Sequence, residues 1–159
     1  MKRITATVIL TVSTLLCADV FLQGNKQFNF GIGAGRGYGS DYTIVGIGGS
    51  YFFLNGLSVG LTYRGWFGGD PSLNEISVPV TYYIPLHQKF RPYVGAFYRR
   101  SFVGSGFDDY NSYGARAGVA YSFNSNSYVS AGWVQEYFDS SQDGDNSNGY
   151  PEIAIGFSF

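Results

Sequence analysis

The sequence predicts an all-β protein: an eight-stranded antiparallel up-and-down transmembrane β-barrel that follows an N-terminal signal peptide. Three observations predict it. Apolar residues recur at every second position over most of the chain, the period of strands with one face in an apolar medium. The 159 residues include 23 Gly, 14 Tyr and 14 Phe but only 13% charged residues, against roughly 25% in an average soluble domain. The alternating runs are separated by turn-forming clusters, short at one end and mostly longer at the other.

The chain divides into residues 1–18, a signal peptide, and residues 19–159, the barrel. Lys2 and Arg3 give a positive start, Ile4 to Leu16 is mostly apolar, and Ala18 is a small residue before Asp19. That apolar run is short for a membrane-spanning helix. Cys17 is the only cysteine, and the large Leu16 before it does not suit lipidation. Cleavage after Ala18 leaves a chain without disulfides. A formal net charge of -1 gives no basis for nucleic-acid binding.

Asp19 to Lys26 reads as a polar lead-in. The first strand sets Phe28, Phe30, Ile32 and Ala34 against Asn29, Gly31, Gly33 and Gly35, and Gly37 to Asp41 follows as a turn. The second sets Val45, Ile47, Tyr51 and Phe53 against Gly46, Gly48 and Ser50. Asn55-Gly56 is a tight-turn signal. The third sets Leu57, Val59, Leu61 and Tyr63 against Ser58, Gly60, Thr62 and Arg64. Gly68 to Asn74 is a loop. The fourth sets Ile76, Val78, Val80, Tyr82 and Ile84 against Glu75, Ser77, Pro79, Thr81 and Tyr83, with Pro79 a weak point because it donates nothing to a ladder.

Pro85 to Phe90 is a turn. The fifth strand sets Val94, Ala96 and Tyr98 against Gly95, Phe97 and Arg99, and a long polar loop spans Ser101 to Ser112. The sixth sets Tyr113, Ala115, Ala117, Val119, Tyr121 and Phe123 against Gly114, Arg116, Gly118, Ala120 and Ser122. Asn124 to Ser127 is a turn. The seventh sets Val129, Ala131, Trp133 and Tyr137 against Ser130, Gly132 and Glu136, and an acidic loop runs from Asp139 to Gly149. The eighth carries Ile153, Ile155, Phe157 and Phe159 on one face and Glu152, Ala154, Gly156 and Ser158 on the other. Eight strands of about ten residues suit a tilted membrane crossing. Lipid-facing positions are then Val59, Leu61, Val78, Val80, Ala117, Val119, Trp133, Ile153 and Ile155. Phe28, Phe53, Phe123 and Phe159 fall near the short-turn end and Tyr63, Tyr98, Tyr113 and Tyr137 near the other, as two interfacial girdles would.

The ending Glu152, Ala154, Phe157, Phe159 resembles the C-terminal recognition signal of bacterial outer-membrane β-barrel proteins, with Ala154 where Gly is more usual. The resemblance implies insertion by the barrel assembly machinery. With the strand pattern and turn asymmetry, the mature chain resembles the small eight-stranded barrels of the OmpX/OmpA and opacity-protein type. That implies the outer membrane of a Gram-negative bacterium, with lipid and lipopolysaccharide as surroundings and a monomeric state.

The inward face is mostly Gly, Ser, Thr and Ala, with six charges: Arg64, Arg99 and Arg116 against Glu75, Glu136 and Glu152. Charges inside a narrow barrel must pair, so the set predicts an internal salt-bridge network that occludes the lumen. The rival is a narrow channel for ions or small solutes, with the same charges as its constriction. No nucleophile with a nearby base is visible. His87, the only histidine, falls in a short turn on the side opposite to where outer-membrane lipid A deacylases place theirs. No enzymatic activity, cofactor or metal is predicted, although a lipid-modifying enzyme stays open. A secreted soluble β-sandwich is a further rival, but its solvent face should carry more Lys and Glu.

The run Gly31-x-Gly33-x-Gly35-x-Gly37 lacks the spacing of a nucleotide loop and fits a crowded interior. Asp139, Asp143 and Asp145 with Asn146 and Asn148 do not follow a calcium-loop pattern. Trp66, Phe102, Phe107 and Tyr110, at the loop bases or tips, are candidate contacts for an extracellular ligand. The expected role is structural or surface-interactive, through loops at Gly37–Asp41, Gly68–Asn74, Ser101–Ser112 and Asp139–Gly149.

Overall fold

A computed structural model describes residues 19–104, 106–139 and 146–159; the proposed signal peptide, Asp143 and Asp145 lie outside these. The strands are β1 (Lys26–Gly37), β2 (Ser40–Leu54), β3 (Leu57–Phe67), β4 (Leu73–Tyr83), β5 (Phe90–Val103), β6 (Tyr110–Ser122), β7 (Ser127–Phe138) and β8 (Ser147–Ser158). Each pairs antiparallel with the next, and β1 pairs with β8 from Gln27↔Ser158 to Gly33↔Glu152, closing the barrel. An even strand count brings the first and last strands together antiparallel, so closure leaves no free edge.

Alternation decides which face each side chain takes. Leu61, Trp133 and Ile153 point outward at 59%, 53% and 53% exposure, alongside Val59, Val78, Val80, Val119 and Ile155, and Ala117 is exposed in the same row. An apolar band of this extent is far larger than a water-soluble surface tolerates. Upper-end tyrosines form a continuous row, since Tyr98 pairs with Tyr113 and Tyr113 with Tyr137, the last two rings stacked 6.0 Å apart. At the short-turn end Phe28 pairs with Phe157.

Several boundaries differ from the sequence reading. The strands run 11 to 15 residues, because polar residues near the loop end stay in the ladder. The loop expected over Gly37–Asp41 is a two-residue turn at Tyr38-Gly39. The loop expected over Ser101–Ser112 shrinks to residues 104–109, because Ser101 pairs with Tyr110 and Ser112 with Phe138. Leu73, Asn74 and Ser147–Gly149 likewise belong to strands rather than loops, as does Ser127. Pro79 stays within β4, and the β3–β4 pairing lapses beside it between Val59↔Val80 and Thr62↔Ser77 with the register unchanged, the local break expected where an N–H is missing.

The interior also differs. Besides small residues it holds Tyr42, Phe52, Trp66, Tyr83, Tyr93, Phe97, Tyr128 and Tyr150, all buried. They fall into two clusters. One, toward the short-turn end, joins Phe52, Tyr83, Tyr93, Ala120 and Tyr128. The other, toward the long-loop end, joins Tyr42, Ile44, Trp66, Leu73, Phe97, Val134 and Tyr150. Glycines face these large groups. A Cβ on Gly35 would lie 3.0 Å from the Trp66 ring, and one on Gly46 would lie 2.9 Å from the Arg64 side chain. The glycine-rich inner faces are thus the room into which side chains of nearby strands reach.

Candidate functional site

Inward positions on six neighbouring strands converge on one buried, charge-balanced cluster between the two aromatic layers. Arg99 (β5) lies 2.6 Å from Glu136 (β7) and 3.3 Å from Glu75 (β4). Arg64 (β3) lies 2.5 Å from Glu152 (β8), whose other oxygen is 2.8 Å from Arg116 (β6). Tyr150 joins the halves: its hydroxyl accepts from Arg64 at 2.8 Å and from Arg99 at 3.0 Å. Ser101 donates to Glu75 at 3.3 Å and Ser112 donates to Glu136. Three cations and three anions therefore neutralise one another away from water.

Uncompensated charge there would cost several kcal/mol. Residual donor capacity, such as the Nε and Nη2 of Arg99, is met electrostatically: Arg99 lies 4.5 Å over the Phe97 ring and Arg116 5.2 Å over Tyr93, contacts of roughly 0.5–2 kcal/mol each. Free space beside the network amounts to about 50 Å³, bordered by Gly31, Gly46, Gly60, Thr62, Arg116 and Glu152. That is room for a few waters and not for a solute path.

Tyr150, Ser101 and Ser112 were missed as network members. The signal was present: Tyr150 lies two residues before Glu152 and Ser101 two after Arg99, so each shares a face with its charged neighbour.

The reading of Asp19–Lys26 as a polar lead-in is overturned. Val20 and Phe21 are fully buried in the lower aromatic cluster. Gly24, at φ 90, turns the chain into the lumen, and its N–H donates to the Phe52 carbonyl at 2.8 Å. Phe21 stacks on Tyr83 with centroids 4.3 Å apart and lies under Arg91, 5.2 Å away. Asp19 pairs with Arg91. Asn55 accepts from the Gln23 N–H at 2.9 Å, and the Gly56 N–H donates to the Phe21 carbonyl at 2.8 Å. The first β-hairpin turn at the short-turn end thus clamps this strap. Burial of Val20 and Phe21 contributes about 1.5–3 kcal/mol each.

Of the aromatics expected at the loops, Trp66 instead points inward and is buried, because it shares the inward parity of Arg64. Phe102 and Phe107 are exposed, Phe107 lying 5.2 Å from Tyr38, and Tyr110 packs partly on the upper cluster. His87 is exposed in its turn, its Nδ1 accepting from the Lys89 N–H at 3.2 Å. Asn148 donates to the Arg36 carbonyl at 2.8 Å.

The chain shares this architecture with small eight-stranded barrels of bacterial outer membranes. The β-barrel domain of Pseudomonas aeruginosa OprF superposes with a TM-score of 0.68 at 18% identity, over 86% of this chain and 98% of that one. Neisserial surface protein A gives 0.66 at 18% identity, over 85% and 96%. A de novo designed transmembrane β-barrel gives 0.62 at 18% identity, over 86% and 97%. No protein-family model matches the chain, and no curated protein matches it in sequence. At this identity the likeness establishes the fold.

Proposed function

We propose that this protein is an integral outer-membrane β-barrel whose role is structural or surface-interactive, with its longer loops outside the cell and its lumen closed. The observation that carries this reading is the division of the sheet: hydrocarbon-compatible side chains surround the closed barrel, while all six inward charges of the network pair with one another. The pairing also argues against a second reading, a solute channel lined by the same charges, because among the described residues none of the six is left free to face an open path. It argues equally against acid-base catalysis there, since each carboxylate is engaged by an arginine. The protein is accordingly not an enzyme on this reading.

Phe159, Phe157, Ala154 and Glu152 are then the residues the barrel assembly machinery reads before closure, because afterwards Glu152 is locked between Arg64 and Arg116. Lipid and lipopolysaccharide contact Val59, Leu61, Val78, Val80, Ala117, Val119, Trp133, Ile153 and Ile155. Residues 1–18 are a signal peptide removed in export, and the closed sheet suits a monomer. Cell fractionation with unboiled and boiled denaturing gels tests the assignment: the protein should sediment with the outer membrane and change mobility on heating. Recovery in the soluble periplasm would reject it. In planar bilayers the pure protein should stay silent, and large stable openings would reject the closed lumen.

A further inference from the structure

We propose that the outward mouth of the barrel holds a binding cleft for an uncharged saccharide ring, an inference that rests on the orientation given under the proposed function. The cleft encloses about 460 Å³, within the roughly 300–1,000 Å³ of small-molecule sites. It sits at the upper end of the β1–β8 seam. There the ladder ends at Gly33↔Glu152, because the next residue of β8, Pro151, has no N–H to extend it. Arg36, Gly37, Ser147 and Asn148 flank the opening.

Its walls are aromatic. Tyr110 and Phe138 meet edge to face, with centroids 5.4 Å apart. Tyr38 stands opposite at φ 49, followed by Gly39 at φ 74. A two-residue hairpin turn with both residues left-handed normally takes Asn-Gly, so a tyrosine there is held against its backbone preference. The floor is Trp66, 6% exposed, whose indole N–H has no hydrogen-bond partner. Indole is a donor only, and a buried donor is costly to leave unmade.

These features select the ligand's chemistry. Aromatic walls call for apolar ring faces. Ser147 and Asn148 at the rim call for hydroxyl oxygens, and the buried, unpartnered indole N–H of the floor adds a donor beneath them. Among the described residues that line the cleft, Arg36 is the charged one, it is already paired with Asp41 at 3.5 Å, and no carboxylate is present, which favours an uncharged ligand. A saccharide ring presents both kinds of surface. A hydrocarbon would cover the polar groups of Ser147 and Asn148 without answering them.

The test uses the full barrel in a zwitterionic detergent without a sugar headgroup. Trp133→Phe leaves Trp66 as the single tryptophan, since the chain has two. Its emission is titrated with glucose, N-acetylglucosamine and lactose, and separately with dephosphorylated lipopolysaccharide core oligosaccharide, which tells a free or host glycan from the protein's own membrane. The expected result is a saturable shift with at least one sugar, weakened tenfold or more by Tyr38→Ala or Tyr110→Ala while heat-dependent gel mobility is retained. No saturable shift with any sugar, equal binding in both variants, or saturation by N-phenyl-1-naphthylamine in place of sugars would overturn the inference. Loss of outer-membrane fractionation in the parent would instead count against the proposed function, and the two failures are separable.

Discussion

Arg99 is the residue on which the interior is most dependent. Its side chain is inaccessible to water and lies between Glu75 and Glu136 while donating to Tyr150. Removing it strands two buried carboxylates, and breaking such a pair typically costs about 3–5 kcal/mol. Arg99→Met should therefore lower the unfolding free energy of the refolded barrel by about that much in a urea titration. Adding Glu75→Gln and Glu136→Gln to the same chain should restore more than half of the loss, because the stranded charges go with it. A single variant as stable as the parent would mean the carboxylates find other partners. The six charges were legible because parity along a strand assigns each to a face. Tyr150 was not, although it obeys the same parity, because the faces of the eighth strand were assigned only from Glu152 onward. The distinction depends on which face a tyrosine occupies, and Tyr150 and Tyr137 look alike until the strand through each is in register.

At the scale of elements, turns carry much of what the sequence concealed. Asn55-Gly56 was legible because its chemistry is local. Its second job, clamping the strap at residues 19–25, was not, since that contact joins segments far apart in the chain. The strap itself has no period to detect, and its burial depends on a space that eight other segments create. Tyr38-Gly39 was expected as part of a longer turn because nothing in Ser40 or Asp41 marks a strand. Gly39 and Gly56 share left-handed backbones, φ 74 and 79, yet their surroundings differ. A Cβ on Gly39 meets nothing within 4 Å, whereas one on Gly56 would lie 2.5 Å from the Tyr83 carbonyl oxygen. Gly39→Ala should therefore cost only the conformational penalty of about 1–2 kcal/mol. Gly56→Ala should cost clearly more, and should also loosen the strap, seen as faster proteolysis at residues 19–25. Equal losses in the two variants would show that the β2–β3 turn can shift freely.

For the whole molecule, strand count, closure and the inside-outside division follow from alternation, which is why they could be read from the chain. Loop lengths could not, because strands such as β2 and β5 continue as paired ladder beyond the apolar belt, where composition turns polar but hydrogen bonding does not stop. The closed barrel carries two obstructions in series: the strap with its aromatic cluster at one end, and the charge network under Trp66, Phe97 and Tyr150 at the other. Flow through obstructions in series is limited by whichever remains, so removing one should leave the barrel insulating. Deletion of residues 19–23 should give no discrete conductance in planar bilayers, and neither should Phe97→Ala with Tyr150→Ala. The two changes combined should produce resolvable openings, which disappear when the deletion is repaired. Conductance from the strap deletion alone would mean that the paired charges do not seal the middle. Silence of the combined variant, if its gel mobility still shifts on heating, would mean that the arginines and glutamates close the narrow lumen without help from either aromatic layer.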